Sequence, residues 1–205
     1  MTVLIVARHG NTFEPGEAPR RVGARTDLPL TAKGIEHGRN LGVYLKKINL
    51  LPDRIYTSRL MRTRQMAEEI LSVTGLQIAP EASDIFNELD YGPDENKIED
   101  YVIARLGQQA MSDWEEKAIM PPGWSPDSQT IIAGWKDFAD RMADEEPDGI
   151  ILVITSNGIA RFALALTGHF EETGRQFGLK MATGAFGVLE HDGKDWNVQN
   201  WNIRP

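Results

Sequence analysis

Thr2-Val-Leu-Ile-Val-Ala-Arg8-His9-Gly10-Asn11-Thr12 follows the first methionine of this 205-residue chain. Its six opening residues are uncharged and largely aliphatic or β-branched, which predicts a strand buried on both faces. A guanidinium, an imidazole and a glycine then arrive together, where the strand runs out. In open α/β sheets ligands collect at the carboxyl ends of strands, so this junction is the first candidate site. Arg8 offers a planar fork suited to phosphate or carboxylate. His9 changes charge near neutral pH and can act as a nucleophile. Gly10 lets the backbone turn sharply or approach a ligand closely. An isolated Arg-His pair reads equally well as a strand end facing water, so the rest of the chain has to decide.

Outward from that strand, residues 13–30 hold three prolines and two glycines, which forbid a long helix or a central strand. A loop of this length between a buried strand and a helix is usually functional. Thr31 is a natural N-cap, and Ile35, Leu41, Leu45 and Ile48 recur at helical spacing, predicting a helix over 31–48. A short strand is expected at 54–58 and a helix over 59–74, ended by Gly75. Residues 76–81 read as a further strand. Ile98, Tyr101, Val102 and Arg105 mark one helix, with Trp114 as another apolar anchor beyond it. Ile131, Trp135, Phe138 and Met142 form a helical stripe, and these aromatics read as core. Ile150-Ile-Leu-Val-Ile-Thr155 is a second buried strand. A helix follows over 158–167 with Ile159, Phe162, Ala163 and Leu166 on one face. Residues 184–190 and 196–201, joined by a turn at His191-Asp-Gly193, predict a hairpin. Strands alternating with helices make this an α/β three-layer sandwich, with a mostly parallel sheet and helices on both faces.

The chain has the length of one domain, 1–205, with 41% hydrophobic and 25% charged residues, the proportions of an ordinary globule. No segment approaches the roughly 18 apolar residues of a membrane span, and no signal pattern opens the chain. Cysteine is absent, which excludes a disulfide framework and a thiol nucleophile and fits a cytoplasmic location. The net charge of −8 argues against general nucleic-acid binding. Its distribution says more. Residues 1–64 carry twelve Lys and Arg against five Asp and Glu, a balance of +7 that leaves −15 on the remaining 141. Five of those arginines, Arg8, Arg20, Arg21, Arg25 and Arg62, fall in or near the loops singled out here. That points to a local site for an anionic ligand in an acidic protein.

Arg8-His9-Gly10-Asn11-Thr12 after an N-terminal strand resembles the signature of the histidine phosphatase superfamily, which includes the cofactor-dependent phosphoglycerate mutases. The resemblance continues through Gly23, Asp27, Leu30, Thr31 and Gly34. It resumes at Ser58 to Ala67, where Arg62 aligns with the phosphate-binding arginine. Ile85-Phe-Asn-Glu-Leu-Asp-Tyr-Gly92 places Glu88 at the proton-donor position, with Asp90 as a nearby competitor. The resemblance implies a phosphoglycerate mutase-like fold and phosphate-monoester hydrolysis through a phosphohistidine at His9. Arg8, Arg62, Asn11 and Asn157 would hold the phosphoryl group, with Arg21 and Arg25 as further substrate contacts. The region around 93–135 would form a lid. Covalent two-step chemistry calls for no metal or cofactor, and the only partner it implies is a small phosphorylated substrate.

The chain departs from the family pattern after the second buried strand. The family has Ser-His-Gly there, its second histidine binding the same phosphate, whereas this chain has Ser156-Asn157-Gly158. Asparagine donates an amide hydrogen but carries no charge, and charge-assisted bonds are about twice as strong as neutral ones. A working phosphatase with an altered pocket and a noncatalytic phospholigand-binding relative both stand at this point. A mutase is the third alternative, set against by the greater length of the mutases compared.

Overall fold

A computed structural model describes residues 1–205. One six-stranded sheet runs through the molecule in the order β3-β2-β4-β1-β5-β6. At its centre lie β1 (Thr2–Arg8) and β4 (Ile150–Thr155), the two buried runs, paired in parallel from Val3 with Ile150 to Arg8 with Thr155. β2 (Arg54–Thr57) continues the parallel half beside β4. β3 is only Glu81–Ala82, two exposed residues pairing with the end of β2. The strand expected over 76–81 is therefore confined to an edge stub. On the other flank β5 (Phe186–His191) runs antiparallel to β1, and β6 (Trp196–Ile203) antiparallel to β5. The sheet is mixed and mostly parallel, with helices on both faces. No helix is long and apolar enough to cross a membrane.

The alternation along β1 divides the core. Val3, Ile5 and Ala7 face one layer, where α1 (Ala32–Lys47) packs against α2 (Met61–Thr74). Thr31 caps α1 by accepting from the Gly34 amide at 3.1 Å, the role its position predicts. Leu4 and Val6 face the larger, aromatic half of the core. Its backbone is α5 (Ser128–Glu145), which buries Ile131, Trp135, Phe138 and Met142 as one stripe. Phe138 meets Tyr56 and Phe86 edge-on, each at 4.9 Å between centroids. α3 (Glu99–Leu106) and α4 (Gln108–Lys117) close this side through Val102 and Trp114.

Two further local expectations need correction, and one helix escapes the sequence reading. The segment expected as one helix over 158–167 is a short α6 (Asn157–Ala160) followed by a tighter 3₁₀ turn over Arg161–Thr167. Residues 161–166 are buried all round, because α5, β6 and α7 (Phe170–Phe177) enclose the segment, so it has no solvent face. α7 itself escapes a search for apolar periodicity. Its legible marks are Glu171 and Glu172 in the first turn and Arg175 in the last, charges that suit the helix dipole. His191 lies in β5 opposite Trp196, not in the hairpin turn, because the pairing extends one step beyond the expected strand end.

Candidate active site

β1 and β4 are in register, so their carboxyl ends finish side by side and deliver His9 next to Ser156 and Asn157. The His9 amide donates to the Thr155 carbonyl at 3.0 Å, extending the ladder by one bond. Beyond it the chain must pass over the start of α1. Gly10 and Gly34 make that crossing possible: a Cβ on Gly10 would stand 2.3 Å from the Gly34 carbonyl oxygen. The demand on Gly10 is therefore close packing against a helix, since its backbone is not in the left-handed region.

His9 is 7% exposed, and its Nδ1 lies 2.7 Å from the Gly10 carbonyl oxygen. A carbonyl only accepts, so Nδ1 carries the hydrogen and Nε2 keeps its lone pair. Burial lowers the imidazole pKa well below the ordinary 6.5, with the nearby charges of Arg62 and Arg8 acting in the same direction. At neutral pH the ring is neutral, as a nitrogen nucleophile must be. It opens on a cleft of about 860 Å³ lined mainly by polar and charged groups.

Arg8 reaches from the end of β1 to donate through Nη1 to the Met181 carbonyl at 2.6 Å, while its buried Nε has no acceptor in the protein. Asn157 grips the other side of the same residue, its Oδ1 accepting from the Met181 amide at 2.9 Å. That contact consumes the acceptor end of the side chain and leaves the amide hydrogens of Nδ2 for the cleft. Glu88 is 6% exposed and lines the same cleft. Its two carboxylate oxygens accept from the amides of Leu89 (3.0 Å) and Gly158 (3.1 Å). Gly158 permits the approach, because a Cβ there would stand 2.2 Å from Glu88 Oε1. Asn11 and Arg21 also line the cleft.

A profile of the histidine phosphatase superfamily (branch 1) matches residues 4–204. The chain belongs to the histidine phosphatase superfamily. Phosphoglycerate mutase 1 of Saccharomyces cerevisiae is 30% identical over 159 residues, 75% of this chain and 63% of the yeast protein. A 2,3-bisphosphoglycerate-dependent phosphoglycerate mutase of Rhizobium etli is 29% identical over 123 residues, 60% of this chain and 58% of the relative. The chain thus spans about three fifths of the length of these curated relatives. Among solved structures, a mycobacterial glucosyl-3-phosphoglycerate phosphatase bound to VO3 superposes with a TM-score of 0.81 at 20% identity, covering 98% of both chains. The α-ribazole phosphatase of Shigella flexneri superposes at 0.76 with 22% identity, over 98% of this chain and 96% of that one. These structures share the phosphoglycerate mutase-like fold with this superfamily member.

Arg62 and Arg25 take different places. Arg62 is wholly buried, its Nε has no acceptor in the protein, and its charge acts on His9. Its Nη1 donates to the Thr26 carbonyl and its Nη2 to those of Val22 and Gly23, holding the 13–30 loop from behind. Arg25 faces solvent, paired with Asp90 at 2.9 Å and the Gly92 carbonyl at 2.7 Å, and lies outside the cleft lining. That pair also occupies Asp90, the competitor of Glu88, away from the cleft. Other cleft residues escape sequence reasoning. Tyr91 stands three residues beyond Glu88, and burial raises the pKa of its phenol, so its hydroxyl keeps its hydrogen. Lys33, Lys180, Glu99 and Glu115 converge from four separate segments. Arg161, fully buried, stacks 3.9 Å over Trp114 and donates to the Trp114 and Asn157 carbonyls, joining α4 to α6.

Proposed function

We propose that this protein hydrolyses small phosphate monoesters through a phosphohistidine formed on His9. The observation that carries this reading is the imidazole itself: neutral, anchored through Nδ1, and presenting Nε2 to a cleft between Arg8 and Glu88. Nε2 attacks phosphorus and the P–O bond to the leaving alkoxide breaks. Glu88 delivers a proton to that oxygen as general acid and then, as general base, takes one from the water that attacks the phosphohistidine. Arg8 and the Nδ2 hydrogens of Asn157 hold the phosphoryl oxygens, with Asn11 beside them. Arg62 contributes its positive charge from behind His9. The chain acts as a single domain, with 93–135 as the wall over the cleft.

In this reading Asn157 occupies the position where relatives carry a second histidine, and the loss of a charged donor slows the enzyme without abolishing it. The competing reading, a binding protein built around Asn157, rests on the same residue. Trapping with an aryl phosphate, followed by rapid denaturation and mass measurement, should find one phosphoryl group on wild type and none on His9→Ala. Asn157→His should raise ester turnover about tenfold, or 1.4 kcal/mol of barrier, because an imidazolium restores a charged donor to the phosphoryl oxygens, and the gain should be largest below the pKa of that imidazole. Undiminished turnover by His9→Ala would overturn the mechanism. Phosphate binding without any phosphoenzyme, in wild type and Asn157→His alike, would favour the binding protein. A mutase would instead return the phosphoryl group to a phosphoglycerate in place of water, which the product ratio reads directly.

A further inference from the structure

Two cations of the cleft, Arg21 and Lys180, already stand beside carboxylates. Arg21 is 14% exposed in its side chain, and its guanidinium lies 5.9 Å over the Tyr91 ring and 5.4 Å over that of Trp124. Held there, it pairs with Glu99 at 2.6 Å and stands 3.9 Å from Glu115. Lys180 reaches Glu115 from the opposite wall at 3.8 Å. Arg20 and Lys33 also line the cleft, as do Glu14 and Glu17. Apart from Arg8 and Glu88, the lining therefore carries four positive and four negative side chains. These charges balance in number, in contrast to the end where Arg8, His9 and Asn157 meet.

We propose that the substrate carries its phosphate as its only anionic group, on a neutral, hydroxyl-rich remainder such as a polyol or sugar. The proposal rests on the phosphatase reading above and narrows it. A second carboxylate or phosphate drawn to Arg21 or Lys180 would have to part Arg21 from Glu99, or Lys180 from Glu115, and then lie beside the displaced carboxylates. Hydroxyls meet no such conflict, since they donate to the glutamates and accept from the lysines and arginines without disturbing either pair. A cleft of about 860 Å³ leaves room for such a remainder beyond the phosphate.

Glycerol 3-phosphate and 3-phosphoglycerate test this directly, because they differ only in a hydroxymethyl against a carboxylate. Wild type should favour glycerol 3-phosphate by about tenfold in kcat/KM, the scale of one charge-assisted contact made or refused. The double variant E99Q/E115Q frees Arg21 and Lys180, and should move the ratio about tenfold toward 3-phosphoglycerate. An aryl phosphate assayed alongside reports whether the enzyme hydrolyses esters at all. If it does not, the phosphatase reading fails by itself, and calorimetric binding of the same two esters still tests the charge argument. Equal or stronger preference for 3-phosphoglycerate in wild type overturns the proposal, as does a ratio unmoved by E99Q/E115Q.

Discussion

The imidazole of His9 is surrounded by features that oppose its protonation: burial first, then the charges of Arg62 and Arg8. Its folded pKa lies well below the unfolded 6.5, so below pH 6.5 the unfolded chain binds a proton that the folded one refuses. This contribution to stability is present above pH 6.5 and is lost as the pH falls toward the folded pKa. An NMR titration of the four histidines should find the His9 midpoint below 6.5, and a midpoint at or above it would remove the argument for a neutral nucleophile at neutral pH. Glu88 and Asp90 stand two residues apart with opposite surroundings, one lining the cleft and one tied to Arg25 outside it. Glu88→Gln should therefore slow esters with poor leaving groups about a hundredfold, while activated aryl esters, which need little protonation, lose far less. Asp90→Asn should show no such dependence on leaving group. The reverse pattern would transfer the proton-donor role to Asp90.

α5 shows how an element holds the site without touching it. Its buried stripe covers the sheet face beneath β1 and β4, and Phe138 is the centre of an aromatic cluster with Tyr56, Phe86 and Trp135. Phe86 begins the segment that carries Glu88, and its carbonyl accepts from the Thr155 hydroxyl at 2.7 Å, at the end of β4. Phe138→Ala should cost about 3–5 kcal/mol of unfolding free energy, because the ring is 2% exposed and its rigid neighbours cannot collapse into the space. Denaturant unfolding checks this, and a loss below about 1 kcal/mol would mean that the cluster repacks freely. The stripe of α5 was legible because an 18-residue amphipathic helix repeats its pattern several times. The 161–167 segment was not, because an element enclosed on every side has no polar face to set the period. β3 was misplaced for the opposite reason: two paired edge residues leave almost no pattern.

Across the whole molecule, the proposed phosphate binding would be linked to folding, since the Arg8-His9 end of the cleft exists only when β1, β4 and the Met181 segment are assembled. Inorganic phosphate at about 100 times its Kd should add about 2.7 kcal/mol of stability and raise Tm by roughly 5–10 °C for a chain of this size. Arg8→Met should abolish most of that shift, and a shift of the same size in the variant would place phosphate elsewhere. The amino-acid sequence by itself determined the two buried strands, the α1 cap, the α5 stripe and the Arg8-His9 junction, because each is written in contiguous residues with a period or a cap. It also carried the motif segments that resemble the superfamily, and hence the α/β architecture. What only the tertiary structure decided was which charges face the cleft. Arg25 and Arg62 look as available as Arg21 in the sequence, yet one is paired at the surface and one buried behind the loop. Glu99, Glu115 and Lys180 enter from distant segments with nothing local to mark them. A side chain's partner is set by distances across the fold, and those distances are absent from any local pattern of residues.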